Sequence, residues 1–141
     1  PKRLPPYYDS GDIKRLIVQA ERGLPRQSPS VRQRNIALIL LMAYGGLRRG
    51  EVLGLGVRNL DFNQRLIRVI GKGSKERVIP LSERLLLPLR TLCLGRPAGA
   101  PLFEGLAAKT VHRAVVKLSR ATGLVVLVIP SCLIRKGLCF P

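Results

Sequence analysis

Apolar residues recur at Ile13, Leu16, Ile17 and Ala20 with the three- and four-residue steps of one helix face, and the pattern stops at Gly23. Ser10 stands ahead of this run as a capping residue, so an amphipathic first helix is expected there. After a polar connection containing Pro25 and Pro29, Ser30 and Gln33 have the spacing of a capping box, and residues 36–44 are then apolar with no polar side. A helix that is apolar all round must be surrounded by protein, so this second helix is expected at the centre of the fold. Gly45 and Gly46 end it by relaxing the backbone, and residues 47–53 begin a short helical segment with Arg48 at the junction.

The period then changes. Residues 65–70 are rich in β-branched side chains, residues 71–75 form a Gly-rich basic turn, and residues 76–81 read as the return strand of a β-hairpin. Ser82 is positioned to cap a leucine-rich helix reaching about residue 94, in which Pro88 should bend the axis or interrupt the hydrogen bonding. Beyond a turn-rich loop at residues 95–101, residues 107–122 place Val111, Ala114, Val115, Leu118 and Ala121 on one face, with Lys109, Arg113, Lys117 and Arg120 elsewhere. Gly123 is the expected stop. The fold class that follows is mainly α with a small antiparallel β-sheet (α+β).

Residues 1–8, with three prolines, read as a linker stub, and residues 9–123 as a single folded unit. Residues 124–141 are apolar without helical periodicity and are expected to be a divergent, truncated tail. At 141 residues the chain suits one domain of roughly 100–150 residues better than two. A 46% hydrophobic and 23% charged composition is that of a globular protein, which excludes a disordered tail.

Charge narrows the class further. Twenty-five Lys and Arg against eight Asp and Glu leave +17, an excess that costs self-repulsion unless a polyanion neutralises it. Nucleic acid is the expected partner. Cys93, Cys132 and Cys139 are odd in number, form no C-x-x-C pair and share the chain with one His, His112, so neither a zinc site nor a complete disulfide framework fits. A reducing cytoplasm suits them, and no membrane association is expected, because the longest apolar runs fall well short of the roughly 20 residues that span a bilayer. Few and scattered carboxylates also argue against a metal-dependent nuclease.

Two motifs carry more specific information. The stretch Ala43-Tyr-Gly-Gly-Leu-Arg-Arg-Gly-Glu-Val-Leu-Gly-Leu55 resembles the segment of the tyrosine recombinase (phage integrase) family in which a buried helix ends in a small-residue pair followed by Leu-Arg-x-x-Glu. Gly71-Lys-Gly-Ser-Lys-Glu-Arg-Val-Ile-Pro-Leu81 is similar to the family's hairpin pattern Gly-Lys-Gly-x-Lys-x-Arg-x-x-Pro-Leu. Both motifs in the right order make the resemblance specific, and it covers roughly residues 5–123. It implies the front portion of the family's catalytic-domain fold, without the separate core-binding domain.

The resemblance implies Arg48 as the first catalytic arginine and Lys72 as the catalytic lysine. Attack on a phosphodiester concentrates negative charge on the nonbridging oxygens, which a fixed guanidinium stabilises. Lys72 on the hairpin tip would protonate the departing 5′ oxygen. Glu51, three residues after Arg48, is expected to face the Arg48 side chain and hold it by a charge-assisted hydrogen bond. Arg49, Lys75 and Arg77 are expected to bind DNA through its phosphates. No metal ion or other cofactor is required.

The family pattern then breaks. Laid on the family's Pro-His-x-Leu-Arg-His, the segment from Pro130 puts Ser131 at the His position and Ile134 at the second arginine, with Arg135 one place out of register. The chain reaches Pro141 before the region of the nucleophilic tyrosine, so truncation and inactivity in isolation are expected. Tyr7, Tyr8 and Tyr44 are read as interaction or core residues, and His112 as structural or exposed. The expected function is a DNA-binding fragment of a site-specific recombinase acting on double-stranded DNA, in the cytoplasm and at the nucleoid in a prokaryote. The alternatives are a non-catalytic regulator that mixes with full-length recombinase, or a small basic RNA-binding protein. Uncovered apolar surface and the β propensity of residues 125–129 predict homo-oligomers.

Overall fold

A computed structural model of the chain describes residues 9–124. The linker stub expected at residues 1–8, Tyr7, Tyr8, Cys132, Cys139 and the tail from residue 125, with its expected pairing segment, lie outside the described residues. Five helices and three strands follow in the order α1 Ser10–Arg22, α2 Pro29–Tyr44, α3 Arg49–Leu53, β1 Leu60–Asp61, β2 Leu66–Ile70, β3 Glu76–Pro80, α4 Glu83–Cys93 and α5 Ala108–Ala121. The molecule is mainly helical with a small antiparallel sheet.

Helix α2 is the hub: it packs against α1, α3, α4 and α5, and all residues from Ala37 to Ala43 are buried. A helix with no polar side can be satisfied only in this way, because each exposed leucine would forfeit about 1.5–3 kcal/mol of burial. Its neighbours are amphipathic and turn inward Ile13, Leu16 and Ile17 from α1, Leu85 and Leu89 from α4, and Val111, Val115 and Leu118 from α5. Pro88 does not end α4, which continues to Cys93.

The helix starts differ from the sequence expectation. Asp9, not Ser10, caps α1: its Oδ1 accepts from the Asp12 N–H at 2.8 Å, and Asp12 Oδ2 accepts from the Asp9 N–H at 3.2 Å. Ser28, not Ser30, caps α2, accepting from the Val31 N–H at 3.3 Å, with Pro29 at the first helical position where its missing N–H is harmless. Ser82 does stand at the α4 cap position, but its hydroxyl makes no cap hydrogen bond and is buried without a partner among the described residues.

The sheet has the order β1-β2-β3, both pairs antiparallel. Ile67 faces Ile79 across the β2–β3 ladder, and Val69 faces Arg77. Ile67, Val69 and Ile79 point into the core, whereas Ile70 and Val78 lie on the outer face. The short edge strand β1 was not anticipated. It pairs Leu60 with Ile67 and ends where Asp61 Oδ1 accepts from the N–H groups of Asn63 and Gln64 at 3.0 and 2.9 Å, turning the chain into β2.

Candidate functional site

The site is assembled where α2 breaks, α3 begins and the β2–β3 hairpin turns. Gly46 takes φ 65, a left-handed conformation that a side chain would oppose, and this redirects the chain so that Leu47 is buried while Arg48 is exposed. Arg48 has extended backbone (φ −80, ψ 156) and stands immediately before α3, with Arg49 as the first helical residue. The Arg48 guanidinium has no ion-pair partner among the described residues.

Glu51 organises the neighbourhood. Its Oε1 accepts from the Arg48 backbone N–H at 2.9 Å, closing the first turn of α3. Glu51 therefore reaches the Arg48 main chain, and its ion pair is with Arg77, not with the Arg48 side chain as the sequence spacing suggested. Arg77 Nη2 donates to Glu51 Oε1 at 2.8 Å and Arg77 Nε donates to the carboxylate at 3.3 Å. The Glu51 side chain is only 12% exposed, against 47% for Arg77.

The hairpin tip is a single 3-10 turn, Lys72–Ser74, in which Gly73 has φ 74 and Ser74 has φ 59. The Gly71 N–H donates to the Lys75 carbonyl at 2.8 Å and closes the turn. Lys72 and Lys75 are both exposed there, with no ion-pair partner among the described residues. Gly71 lies against the same carboxylate, since a Cβ built on it would sit 3.3 Å from Glu51 Oε2. The structure thus brings Arg48, Glu51, Gly71 and Arg77 together and presents Lys72 and Lys75 on the adjoining turn. Arg49 stands half-exposed beside Arg48.

The Glu51–Arg77 pair escaped the reading of the sequence, although a signal for it was present. Arg77 has the parity of Ile79 in β3 and of Leu81 just beyond it, both buried, and it faces the buried Val69 across the ladder, while its own side chain stays 47% exposed. A guanidinium with that parity is within reach of an acceptor on the element packed against the sheet.

The other candidates fall elsewhere. His112 is exposed on α5. Tyr44 is half-buried, with the Arg84 guanidinium 5.3 Å from its ring centroid. A second group of cations, Arg26, Arg34, Arg113, Lys117 and Arg120, lines a groove of about 770 Å³ between the α1–α2 connection and α5. There Arg34 donates to the buried Asn35 Oδ1 at 3.1 Å, and burial lowers the pKa of its guanidinium. Among the described residues no three His, Cys, Asp or Glu are grouped as metal ligands, and no helix is long and apolar enough to cross a membrane.

Residues 7–125 match the model of the phage integrase family. The chain belongs to this family, the tyrosine recombinases. It is 34% identical over 122 residues to the tyrosine recombinase XerC of Brucella suis biovar 1 (strain 1330), covering 83% of this chain and 38% of that protein. To the tyrosine recombinase XerD of Pasteurella multocida (strain Pm70) it is 34% identical over 98 residues, covering 69% and 31%. The chain therefore spans about a third of the length of the curated relatives it matches. The fold is that of the XerH site-specific recombinase solved in a pre-cleavage complex with difH substrate: TM-score 0.77 at 20% identity, covering 94% of this chain and 41% of that one.

Proposed function

We propose that residues 9–124 form a DNA-binding half of a site-specific recombinase active site, contributing one phosphate-stabilising arginine and one proton-donating lysine. The observation that carries this reading is a division of labour among the charges. Glu51 is engaged by Arg77 and the Arg48 main chain, which leaves the Arg48 guanidinium and the Lys72 ammonium open to an incoming phosphodiester.

Arg48 would donate to the nonbridging oxygens of the scissile phosphate, whose charge grows in the transition state; donors already in place stabilise it without reorganisation. Lys72 would give its proton to the 5′ oxygen as the strand leaves. Arg49 and Lys75 would bind the flanking phosphates, adding affinity and salt sensitivity rather than chemistry. The likeness in fold to a site-specific recombinase bound to its difH substrate and a net charge of +17 both support double-stranded DNA as the partner.

The nucleophile is not supplied by residues 9–124 on this reading, since Tyr44 is half-buried in the helix α2 that forms the hub of the core. These residues bind DNA and leave it uncut unless the remaining groups come from elsewhere. The cellular setting is then the DNA-containing cytoplasm, at the nucleoid in a prokaryote.

Fluorescence anisotropy with duplex DNA across a salt series, with structured RNA as competitor, tests the reading. Binding should weaken by roughly 0.9 log units per log unit of salt for each phosphate neutralised, and Arg48→Ala and Lys72→Ala should each weaken it further. Loss to RNA, or indifference to both substitutions, rules it out.

A further inference from the structure

Of the ion pairs among the described residues, Arg77–Glu51 differs from the other two. Arg68–Glu76 at 3.5 Å lies within the hairpin with both side chains about half exposed, and Arg96–Glu104 at 3.9 Å ends on a carboxylate 79% exposed. Arg77–Glu51 joins two elements, uses two donor nitrogens and has a carboxylate largely removed from water. Such a geometry is directional, because a planar guanidinium forks onto a carboxylate in one orientation only.

We propose that Arg77 is a positioning residue: through Glu51 it fixes the hairpin that carries Lys72 to the helix start that carries Arg48, and it does not itself neutralise a DNA phosphate. This rests on the roles given above to Arg48 and Lys72. One carboxylate touches three parts of the site. Oε1 takes the Arg48 N–H and the Arg77 Nη2, while Oε2 lies against Gly71, the residue before Lys72. Withdrawing Arg77 leaves that carboxylate short of donors in a place where water reaches it poorly, and unties the hairpin from α3.

Two features argue against a phosphate contact at Arg77. Its guanidinium charge is already compensated by Glu51, and a phosphate brought to it would approach a carboxylate of like charge. Its guanidinium is held towards α3 through both Nε and Nη2, whereas Lys75 sits on the exposed turn with no ion-pair partner among the described residues.

The test uses the full chain with Arg77→Ala, Arg77→Lys and Lys75→Ala. DNA affinity is measured across a salt series, and exchange of the Gly71 amide, which is bonded to the Lys75 carbonyl, is followed by NMR without DNA. Expected for Arg77→Ala is an affinity roughly three- to tenfold weaker at every salt concentration with an unchanged salt slope, and Gly71 exchange about tenfold faster while the α2 core amides stay protected. Lys75→Ala should instead reduce the slope by about 0.9. Arg77→Lys, which keeps the charge but loses the fork, should restore Gly71 protection only in part. A slope reduced by about 0.9 in Arg77→Ala with Gly71 protection intact overturns the proposal and makes Arg77 a phosphate ligand. If no form of the protein binds DNA, the reading of the site fails, and unchanged Gly71 exchange in Arg77→Ala then overturns the positioning role separately.

Discussion

The δ-methyl of Ile79 in β3 occupies the space into which a side chain at Gly45 would grow. A Cβ there would lie 3.2 Å from Ile79 Cδ1, and 2.6 Å from both the Leu41 carbonyl oxygen and Leu47 Cδ1. Gly45 has an ordinary helical backbone (φ −87, ψ −18), so this glycine is required for space and not for conformation. Gly45→Ala is expected to cost about 1–3 kcal/mol, because the added methyl meets backbone on one side and packed core on the other. Pressure on Leu47 passes to Arg48, so DNA affinity should fall as well. Gly50→Ala is the control: a Cβ there meets nothing within 4 Å, and in α3 it should be neutral or stabilise by up to about 1 kcal/mol. Urea denaturation of both variants checks the contrast; equal midpoints would mean that the sheet does not press on the helix break.

Leu41 and Leu87 make a second contrast, between the hub and the rim. Leu41 is fully buried in α2, while Leu87 on α4 is 75% exposed. Leu41→Ala should cost about 2–5 kcal/mol, from the lost transfer energy and the cavity left behind. Leu87→Ala should stay within about 0.5 kcal/mol. A large loss from Leu87→Ala in the DNA-free protein would reveal that this leucine is covered in solution, which sedimentation at rising concentration would register as self-association.

Capping offers a test with opposite expectations from sequence and structure. Asp9→Ala removes the acceptor for the Asp12 N–H and should cost about 1 kcal/mol, whereas Ser10→Ala should be nearly silent. The same holds for Ser28→Ala against Ser30→Ala at the start of α2. Thermal melts of the four variants decide it, and a greater loss from Ser10→Ala than from Asp9→Ala would restore the sequence-based assignment.

These caps mark where the sequence stops being legible. The faces of α1 and α5, the all-apolar α2 and the β2–β3 alternation were readable because burial imposes a period on residue type. Cap positions are set by one hydrogen bond, and two neighbouring polar residues such as Asp9 and Ser10 are equally able to make it. Strand β1, two residues long, is too short to carry any period. The two motifs located Arg48, Glu51 and the hairpin, but not the partner of Glu51. Spacing along α3 pointed to Arg48, three residues away, while the chain supplies Arg77 from 26 residues away through the fold. Only the parity of β3, which places Arg77 on the face of Ile79, carried that information.

Cys93, near the end of α4, gives a prediction for pH. Burial raises its thiol pKa above the ordinary 9.0, with Arg96 opposing part of the rise. Since the thiolate is the reactive form, Cys93 in the folded chain should alkylate more slowly at pH 8 than in the denatured chain, as read from the labelled peptide by mass spectrometry. The sign of the stability effect follows from the same shift. Below the unfolded value both states hold the proton, and the contribution is fully present. As pH rises past the unfolded value the unfolded chain releases its proton first, and stability falls until the folded thiol ionises too. Cys93→Ser should flatten this alkaline decline relative to the wild type. An alkylation rate equal to that of the denatured chain would show that the thiol meets water freely and that α4 does not bury it.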